Sequence, residues 1–289
     1  MDVLVHGGAG GAPREPGRRQ AVLDDAAATG AAAATPTEAV IEAVRVLEAS
    51  PRFNAGRGGT IQTDGAIRTD AGVMTSDRAV GAVCNVPGCV HPSTLAAYIK
   101  DETPHVLLGP EGAIDIAHEL GVEVEADLST KRLRERFEEA EVPGSFRGQL
   151  EFVREAFGDG GDGPHAFDTV GAVATDGDTL AACTSTGGRW LALRGRVGDV
   201  PQIGCGFYCS PAGAVSTTGA GEDIARVTLA RDIERRLERG VDAQTAAIDG
   251  IAAFERATDA TAGVIVIQAD GSIGTAFNST RMQTAHATR

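Results

Sequence analysis

The sequence predicts an α/β protein in which stacked β-sheets are covered by helices. Two observations lead to this prediction. Short apolar runs typical of buried strands occur at both ends of each half of the chain, and longer amphipathic patterns typical of helices lie between them. With 289 residues, of which 42% are apolar, the chain can bury the core of one large domain or of two small ones.

The first half begins with a buried strand that runs into a glycine cluster, and a turn-rich segment separates its first helices from a β region. In chain order we expect a strand at 2–5 before the glycine cluster at 6–10, helices at 17–34 and 37–49, a β region at 60–86 with a hairpin turn at Asp64 and Gly65, and helices at 92–100, 110–120 and 131–157.

An abrupt change of composition at residues 158–164 indicates a flexible linker. Its glycines match GxGxxG, but a dinucleotide site requires a strand before this pattern and a helix after it, and here the order is reversed. The second half then predicts strands at 169–175 and 179–184, a glycine-rich stretch to 221, two helices over about 222–258, and closing strands at 263–269 and 272–277.

The charge of the chain disfavours two classes of partner. Its 26 basic and 40 acidic residues give a formal net charge of −14, which opposes binding to nucleic acid and to anionic membranes. Lys100 and Lys131 are the only lysines. An acidic, lysine-poor surface suits high salt, where screening relieves the repulsion, and predicts a halophilic protein. A GC-rich genome would explain the shortage of lysine but not the excess of acid.

The apolar runs and the cysteines predict a cytoplasmic protein. No run approaches the roughly 18 apolar residues of a membrane span, and the first residues lack the pattern of a signal peptide. The five cysteines are odd in number and include no CxxC pair, so we expect reduced thiols rather than disulfides or a zinc site.

A threonine, Thr169, starts a strand directly after the linker. Alone it reflects only β-propensity. Three glycine loops with hydroxyl or charged groups follow, at 184–188, 195–199 and 216–222. Backbone N–H groups of such loops can stabilise an oxyanion, and Arg196 with Asp199 can hold the two charged ends of an amino acid. The pattern predicts acyl transfer on an amino-acid-like substrate.

Seven short motifs occur in a characteristic order and spacing along the chain. They are HGGAG at 6–10, LE at 47–48, FNAG at 53–56, DTVG at 168–171, TSTGG at 184–188, GRVGD at 195–199 and TG at 218–219. In these motifs the sequence resembles the plant-type L-asparaginases and isoaspartyl peptidases, a family of N-terminal-nucleophile hydrolases. The resemblance covers nearly the whole chain and is weakest at 123–167.

The resemblance implies a four-layer αββα sandwich in a single domain of residues 1–289, and a precursor that cuts itself between Asp168 and Thr169. The products would be an α-subunit of 1–168 and a β-subunit of 169–289, assembled as an (αβ)₂ dimer of heterodimers. Cleavage would create the catalyst, because the freed α-amine, with a pKa of about 7.7 to 8.0, is a general base beside the hydroxyl. The implied substrates are L-asparagine and β-aspartyl dipeptides.

The resemblance also implies the roles of the catalytic residues. Thr169 is the nucleophile, Thr186 orients and polarises its hydroxyl, and Asn54 hydrogen-bonds near its amine. The Thr218 hydroxyl and the Gly219 N–H hold the oxyanion.

For substrate binding, the resemblance assigns the α-carboxylate to Arg196 and the α-ammonium to Asp199. It implies no cofactor. The loop after the second helix resembles a cage of backbone carbonyls for a structural Na⁺, with a plain loop as the alternative. The corresponding positions are Leu47, Glu48, Ser50, Phe53, Ala55 and Arg57.

Two segments depart from the family pattern, and two alternatives stay open. Phe167 and Asp168 precede the nucleophile, where many relatives carry Gly or a His-Asp pair. RWLALR at 189–194 replaces a polar stretch, and we expect Trp190 to narrow the leaving-group side of the pocket. The first alternative is a glycosylasparaginase-like amidase, which the two glycines at 187–188 disfavour. The second is an amino-acid-binding protein that is never cut. An α/β-hydrolase is excluded because no GxSxG elbow occurs.

Overall fold

The computed structural model describes residues 1–13, 15–157 and 169–289 and confirms the α/β class. The strands are β1 (Asp2–Gly10), β2 (Arg68–Thr75), β3 (Val80–Pro87), β4 (Val170–Thr175), β5 (Leu180–Thr186), β6 (Phe207–Ser210), β7 (Gly213–Gly219), β8 (Ala262–Ile267), β9 (Ile273–Phe277) and β10 (Arg281–Thr288). The helices are α1 (Pro16–Ala31), α2 (Pro36–Ala49), α3 (Pro92–Glu102), α4 (Pro110–Leu120), α5 (Lys131–Glu139), α6 (Phe146–Phe157), α7 (Gly221–Val227), α8 (Leu229–Glu238) and α9 (Ala243–Thr258).

The described strands form two antiparallel sheets. A six-stranded sheet has the order β10-β1-β4-β5-β2-β3, and a four-stranded sheet has the order β6-β7-β8-β9. Successive strand residues enter different apolar clusters, as the alternation of side chains requires. Val3 belongs to a cluster with Leu23 of α1, whereas Leu4 belongs to a second cluster with Phe207 of β6. A third cluster contains Phe254 of α9 with buried residues of β7 and β8.

The centre of the six-stranded sheet positions Thr169. β4 pairs with β1 on one side and with β5 on the other, so Thr169 lies at the entrance of a central strand. Gly171 of β4 faces the second sheet closely, because an added Cβ there would lie 2.0 Å from Ser216 Oγ and 2.5 Å from His6 Nε2. Only glycine therefore allows this approach at the threonine's end of the strand.

The structure has a turn at Asp64 and Gly65, where the Gly65 N–H donates to Gln62 O at 3.0 Å and the Gln62 N–H donates to Ala66 O at 2.9 Å, but this turn does not join two of the named strands. These two residues precede β2, and the turn between β2 and β3 lies at 76–79. Asp77 Oδ1 accepts a hydrogen bond from the Ala79 N–H at 3.1 Å and stabilises that turn. Both segments carry turn-forming aspartates, and the pairing of the strands decides between them.

Two helical predictions also need correction. The predicted helix at 131–157 is two helices, α5 and α6, because Pro143 between them lacks the N–H that a continuous helix needs. The region 222–258 divides into three helices, and α7 ends where Thr228 adopts a left-handed φ of 51°.

The predicted strand at 272–277 does not close the chain, because β10 follows it. β10 pairs with β1 and forms an edge of the six-stranded sheet. Its side chains are mostly polar and partly exposed, so it lacks the apolar run of a buried strand. β1 extends through the glycine cluster at 6–10, and the glycine-rich stretch to 221 contains β6 and β7. Among the described residues, no helix is both long and apolar enough for a membrane span.

The contact between the sheets predicts the effect of one substitution. Gly72 of β2 lies under the fully buried ring of Phe207, and an added Cβ would lie 2.1 Å from it. We expect Gly72→Ala to lower the thermal midpoint by several degrees, since overpacking costs about 1 to 3 kcal/mol. Gly112→Ala in α4 is the control, because its Cβ would meet only Leu108 Cδ1 at 3.6 Å and its midpoint should stay or rise. An unchanged midpoint for Gly72→Ala would contradict this packing.

Candidate active site

Thr169 lies beside the end of β5. Its side chain is buried, and its hydroxyl donates a hydrogen bond to Thr186 Oγ1 at 3.3 Å. The antiparallel pairing of Val170 with Ser185 brings the two threonines together. Thr186 Oγ1 also accepts a hydrogen bond from the Gly188 N–H at 3.1 Å. The contact with Thr186 sets the direction of the Thr169 hydroxyl.

A small cavity adjoins Thr169 and gathers most of the predicted site residues. These come from distant parts of the sequence, and Gly188 and Arg189 join them although the sequence analysis did not assign them to the site. The wall consists of Asn54, Thr169, Thr186, Gly188, Arg189, Arg196, Asp199 and Gly219.

The Asn54 side chain connects two loops at this cavity. Its Oδ1 accepts a hydrogen bond from the Thr60 N–H at 2.9 Å, and its Nδ2 donates to Gly188 O at 2.6 Å. Gly187 permits the contact, because an added Cβ would lie 2.3 Å from Gly59 Cα and 2.6 Å from Asn54 Oδ1. The amide holds the loops against each other, and its contact with the amine of the nucleophile stays a prediction.

Thr218 and Gly219 end β7. Gly219 has a φ of 140°, and an added Cβ would lie 2.4 Å from Thr261 O, so glycine is required there. Thr218 is fully buried, and its Oγ1 accepts a weak hydrogen bond from the Ala9 N–H at 3.4 Å. Gly219 forms part of the cavity wall, whereas Thr218 lies behind it beside β1.

Arg196 is held by a carboxylate that the sequence analysis did not assign to the site. Its Nε and Nη2 donate to the two oxygens of Glu222, each at 2.8 Å, in a bidentate pair. Arg189 Nη1 donates to the same carboxylate at 3.4 Å. Burial would raise the pKa of Glu222, but the hydrogen bonds and charge of Arg196, with the charge of Arg189, lower it to about 2. Glu222 is therefore ionised at neutral pH.

Asp199 borders the cavity and has one carboxylate oxygen without a hydrogen-bond partner in the described part of the chain. The residue is 4% exposed, and its Oδ2 is buried with no hydrogen-bond partner among the described residues. Burial raises the pKa of Asp199 to about 6, although the charge of Arg196 opposes the shift. A cationic group that entered the cavity would compensate this carboxylate.

A second buried carboxyl, Asp70 in β2, supports the loop that carries Arg196. Its Oδ1 accepts a hydrogen bond from the Asn85 N–H at 2.7 Å, at an irregularity in the pairing of β2 with β3. Asn85 Nδ2 donates in turn to Gly195 O at 2.8 Å. Burial raises the pKa of Asp70 to about 7, against the Asn85 hydrogen bond and the charge of Arg196. Its neighbours in the sequence suggested only a buried strand.

The expectation for Trp190 is wrong. Its side chain is 2% exposed and belongs to a separate apolar cluster with Leu128 and Leu133. The guanidinium of Arg136 in α5 lies 4.3 Å from the centre of its ring. Trp190 therefore helps to hold α5 on the protein, and Arg189 occupies the position at the cavity wall.

The loop proposed for Na⁺ follows α2 and is tightly packed around two glycines. Gly56 and Gly58 adopt left-handed φ values of 49° and 98°. An added Cβ at Gly56 would lie 2.4 Å from Glu48 O, and one at Gly58 would lie 2.8 Å from both Pro51 O and Phe53 O. No group of three or more His, Cys, Asp or Glu side chains suits a metal in the part of the chain that the structure describes. Carbonyl oxygens are suitable ligands for a hard cation.

Comparison of the sequence with known protein families identifies the class of enzyme. The chain belongs to the asparaginase family, whose family model matches residues 1–289. The family resemblance noted in the sequence is thereby confirmed. The chain is an enzyme of the amidohydrolase class.

Individual relatives cover nearly the whole chain. An isoaspartyl peptidase/L-asparaginase of Danio rerio is 37% identical over 99% of this chain and 91% of the relative. A plant-type L-asparaginase of Pyrococcus furiosus is 36% identical over 98% of this chain and 95% of its own length. A probable isoaspartyl peptidase/L-asparaginase 2 of Arabidopsis thaliana is 34% identical over 97% and 93%, respectively.

The buried carboxyl of Asp70 predicts a pH-dependent change in stability. Because its folded pKa is about 7, above the ordinary value of 3.8, the folded state holds a proton that the unfolded state releases between pH 4 and 7. The contribution of this group to the free energy of unfolding is therefore fully present in acid and is lost as the pH rises toward 7. We expect Asp70→Asn to raise the thermal midpoint at pH 8, with a gain that shrinks toward pH 4.

Thermal scans across this pH range provide the measurement. Asp178→Asn, a change at an exposed turn, is the control for the added amide. If Asp70→Asn does not raise the thermal midpoint at pH 8, or if the rise is larger in acid, then the ionised form of Asp70 does not destabilise the folded protein.

Proposed function

We propose that the protein hydrolyses L-asparagine to L-aspartate and ammonia and cleaves β-aspartyl dipeptides, with Thr169 as an N-terminal nucleophile. The observation that carries this proposal is the cavity in which Thr169, 3.3 Å from Thr186, shares a wall with Arg196 and Asp199. Relatives whose names state these two activities align with nearly the whole chain and support it.

The nucleophile forms by self-cleavage. Asp168, like the linker before it, lies outside the described residues. Thr169 Oγ1 attacks the carbonyl carbon of Asp168, the peptide C–N bond breaks, and water hydrolyses the resulting ester. The products are subunits of 1–168 and 169–289, and the second begins with a free α-amine. That amine, with a pKa of about 7.7 to 8.0, is the general base for the hydroxyl.

Hydrolysis then proceeds in two steps. The α-amine takes the proton of the Thr169 hydroxyl while Oγ1 forms a bond to the side-chain carbonyl carbon of the aspartyl group. The Gly219 N–H at the cavity wall stabilises the oxyanion, and the family resemblance assigns the Thr218 hydroxyl, which lies behind this wall, to the same role. The C–N bond breaks, and the proton leaves with ammonia or with an amino acid. Water attacks the remaining ester and frees aspartate and Thr169.

Arg196 and Asp199 position the substrate for this attack. Glu222 pairs with Nε and Nη2 of Arg196, which leaves Nη1 to bind the α-carboxylate. The unpaired Oδ2 of Asp199 accepts a hydrogen bond from the α-ammonium. Binding energy at these two charges places the side-chain carbonyl against Thr169.

The proposal includes the architecture, assembly and location of the protein. The apolar clusters on either side of the six-stranded sheet support a four-layer αββα sandwich in one domain. Assembly as an (αβ)₂ dimer follows from the family resemblance. The free cysteines support a location in the cytoplasm, and the acidic, lysine-poor composition supports a high salt concentration there.

Self-cleavage and activity are tested together. Purified wild type should give two fragments by mass spectrometry, the second beginning at Thr169, and should release ammonia from L-asparagine and leucine from β-Asp-Leu. Thr169→Ala should remain one inactive chain, because it lacks the attacking oxygen. Thr179→Ala, at an exposed turn, is the matched control and should be cut and active.

Two results of this experiment would contradict the proposal. An intact wild-type chain with full activity would refute the N-terminal nucleophile. A fully cut enzyme that hydrolyses glycosylasparagine and neither of the two substrates would refute the substrate assignment.

We propose further that the protein is stabilised by salt and that the carbonyls of Leu47, Glu48, Ser50, Phe53, Ala55 and Arg57 hold Na⁺. A net charge of −14 predicts a thermal midpoint that rises from low to molar KCl, because screening reduces repulsion. Na⁺ in the loop predicts an additional rise in NaCl over KCl at equal ionic strength. A thermal midpoint that falls with KCl would contradict the stabilisation by salt. Equal thermal midpoints in NaCl and KCl would contradict the Na⁺ site.

A further inference from the structure

Arg189 is a cation at the cavity wall to which the proposed mechanism assigns no role. It follows Gly188 in the loop after β5, three residues beyond Thr186. Its guanidinium lies 4.1 Å from the centre of the Phe157 ring in α6 and donates to Glu222 at 3.4 Å. Its side chain is 18% exposed, so the charge is held in place while still accessible to a ligand.

The charges of the proposed substrates indicate which group could bind to Arg189. Asparagine carries one carboxylate and one ammonium, which Arg196 and Asp199 accommodate. A β-aspartyl dipeptide carries a second carboxylate, on the amino acid that leaves. Glu222 binds Arg196 in a close bidentate pair and contacts Arg189 through one longer bond. An arginine presents five donors and can serve more than one carboxylate.

The distances along the substrate fit such a contact. The leaving carboxylate is separated from the carbonyl under attack only by the amide nitrogen and one α-carbon, a reach of roughly 4 Å. Arg189 lines the same small cavity as Thr169. The leaving amino acid would share this cavity when the aspartyl part occupies Arg196 and Asp199.

We propose that Arg189 binds the carboxylate of the leaving amino acid and so makes the enzyme favour β-aspartyl dipeptides over L-asparagine. This inference rests on the proposed function. It differs from the role expected for Trp190, because a leaving-group side narrowed by Trp190 would have favoured asparagine.

The test compares three substrates that differ only on the leaving side: β-Asp-Leu, its C-terminal amide β-Asp-leucinamide, and L-asparagine. Arg189→Met keeps an unbranched side chain against Phe157 and removes the charge. We expect it to lower kcat/KM for β-Asp-Leu roughly 10- to 100-fold, mainly through KM, as for a lost charge-assisted hydrogen bond. The values for the amide and for asparagine should change less than about twofold, which is within ordinary variation between such contacts.

Arg194→Met is the matched control. Arg194 lies on the same loop, is exposed, and its guanidinium lies 5.3 Å from the centre of the Phe146 ring, away from the described cavity wall. It should leave all three values unchanged. Arg189→Lys, which keeps a charge, should restore part of the activity on β-Asp-Leu.

Several outcomes would overturn the assignment. An equal loss on all three substrates would mean that Arg189 acts through Glu222 and Arg196, and no loss on β-Asp-Leu would mean that it does not bind the carboxylate. Should Arg189→Met fail to fold, wild type alone decides, since it must prefer β-Asp-Leu to its amide by a similar factor. Failure of processed wild type on all three substrates would refute the proposed function itself, a result distinct from these.

Discussion

The pairing of β4 between β1 and β5 is the constraint on which the site depends. It fixes Thr169 at the entrance of a central strand and places the end of β5, with Thr186, directly beside it. The next pairing, of β5 with β2, puts Asp70 opposite Thr186. Because backbone hydrogen bonds hold these strands in register, the backbone alone brings Thr169, Thr186 and Asp70 together.

The charges around this backbone arrangement are unequal. Glu222 is ionised and pairs with Arg196, whereas burial raises the pKa of Asp70 to about 7 and that of Asp199 to about 6. One buried guanidinium therefore faces more carboxyl groups than it can compensate. The ammonium group of an amino-acid substrate would stabilise the charged form of Asp199 and so compensate this carboxylate. Arg189 extends the positive side of this arrangement toward the leaving group.

The sequence was sufficient to predict the residues whose motifs are local. Thr169 after the linker, and Arg196 three positions before Asp199, could be found without a structure. Glu222 could not, because its contact with Arg196 joins the first turn of α7 to a separate loop, and Asp70 lies within a buried strand. β10 lacked an apolar pattern because it is an edge strand paired with the opposite end of the chain. Trp190 was misjudged because hydrophobicity shows that a side chain is buried but not which cluster it enters.

The central claim is that Thr169 carries the acyl group during turnover, and trapping that intermediate tests it most directly. Processed enzyme is mixed with β-Asp-Leu and quenched in acid within one turnover, and the fragment that begins at residue 169 is analysed by mass spectrometry. We expect an added mass of one aspartyl group, which peptide sequencing should map to the Thr169 side chain. The same processed enzyme kept without substrate should show no such adduct. An adduct on another residue, or product formation at full rate with no adduct on Thr169 at any quench time, would contradict the account.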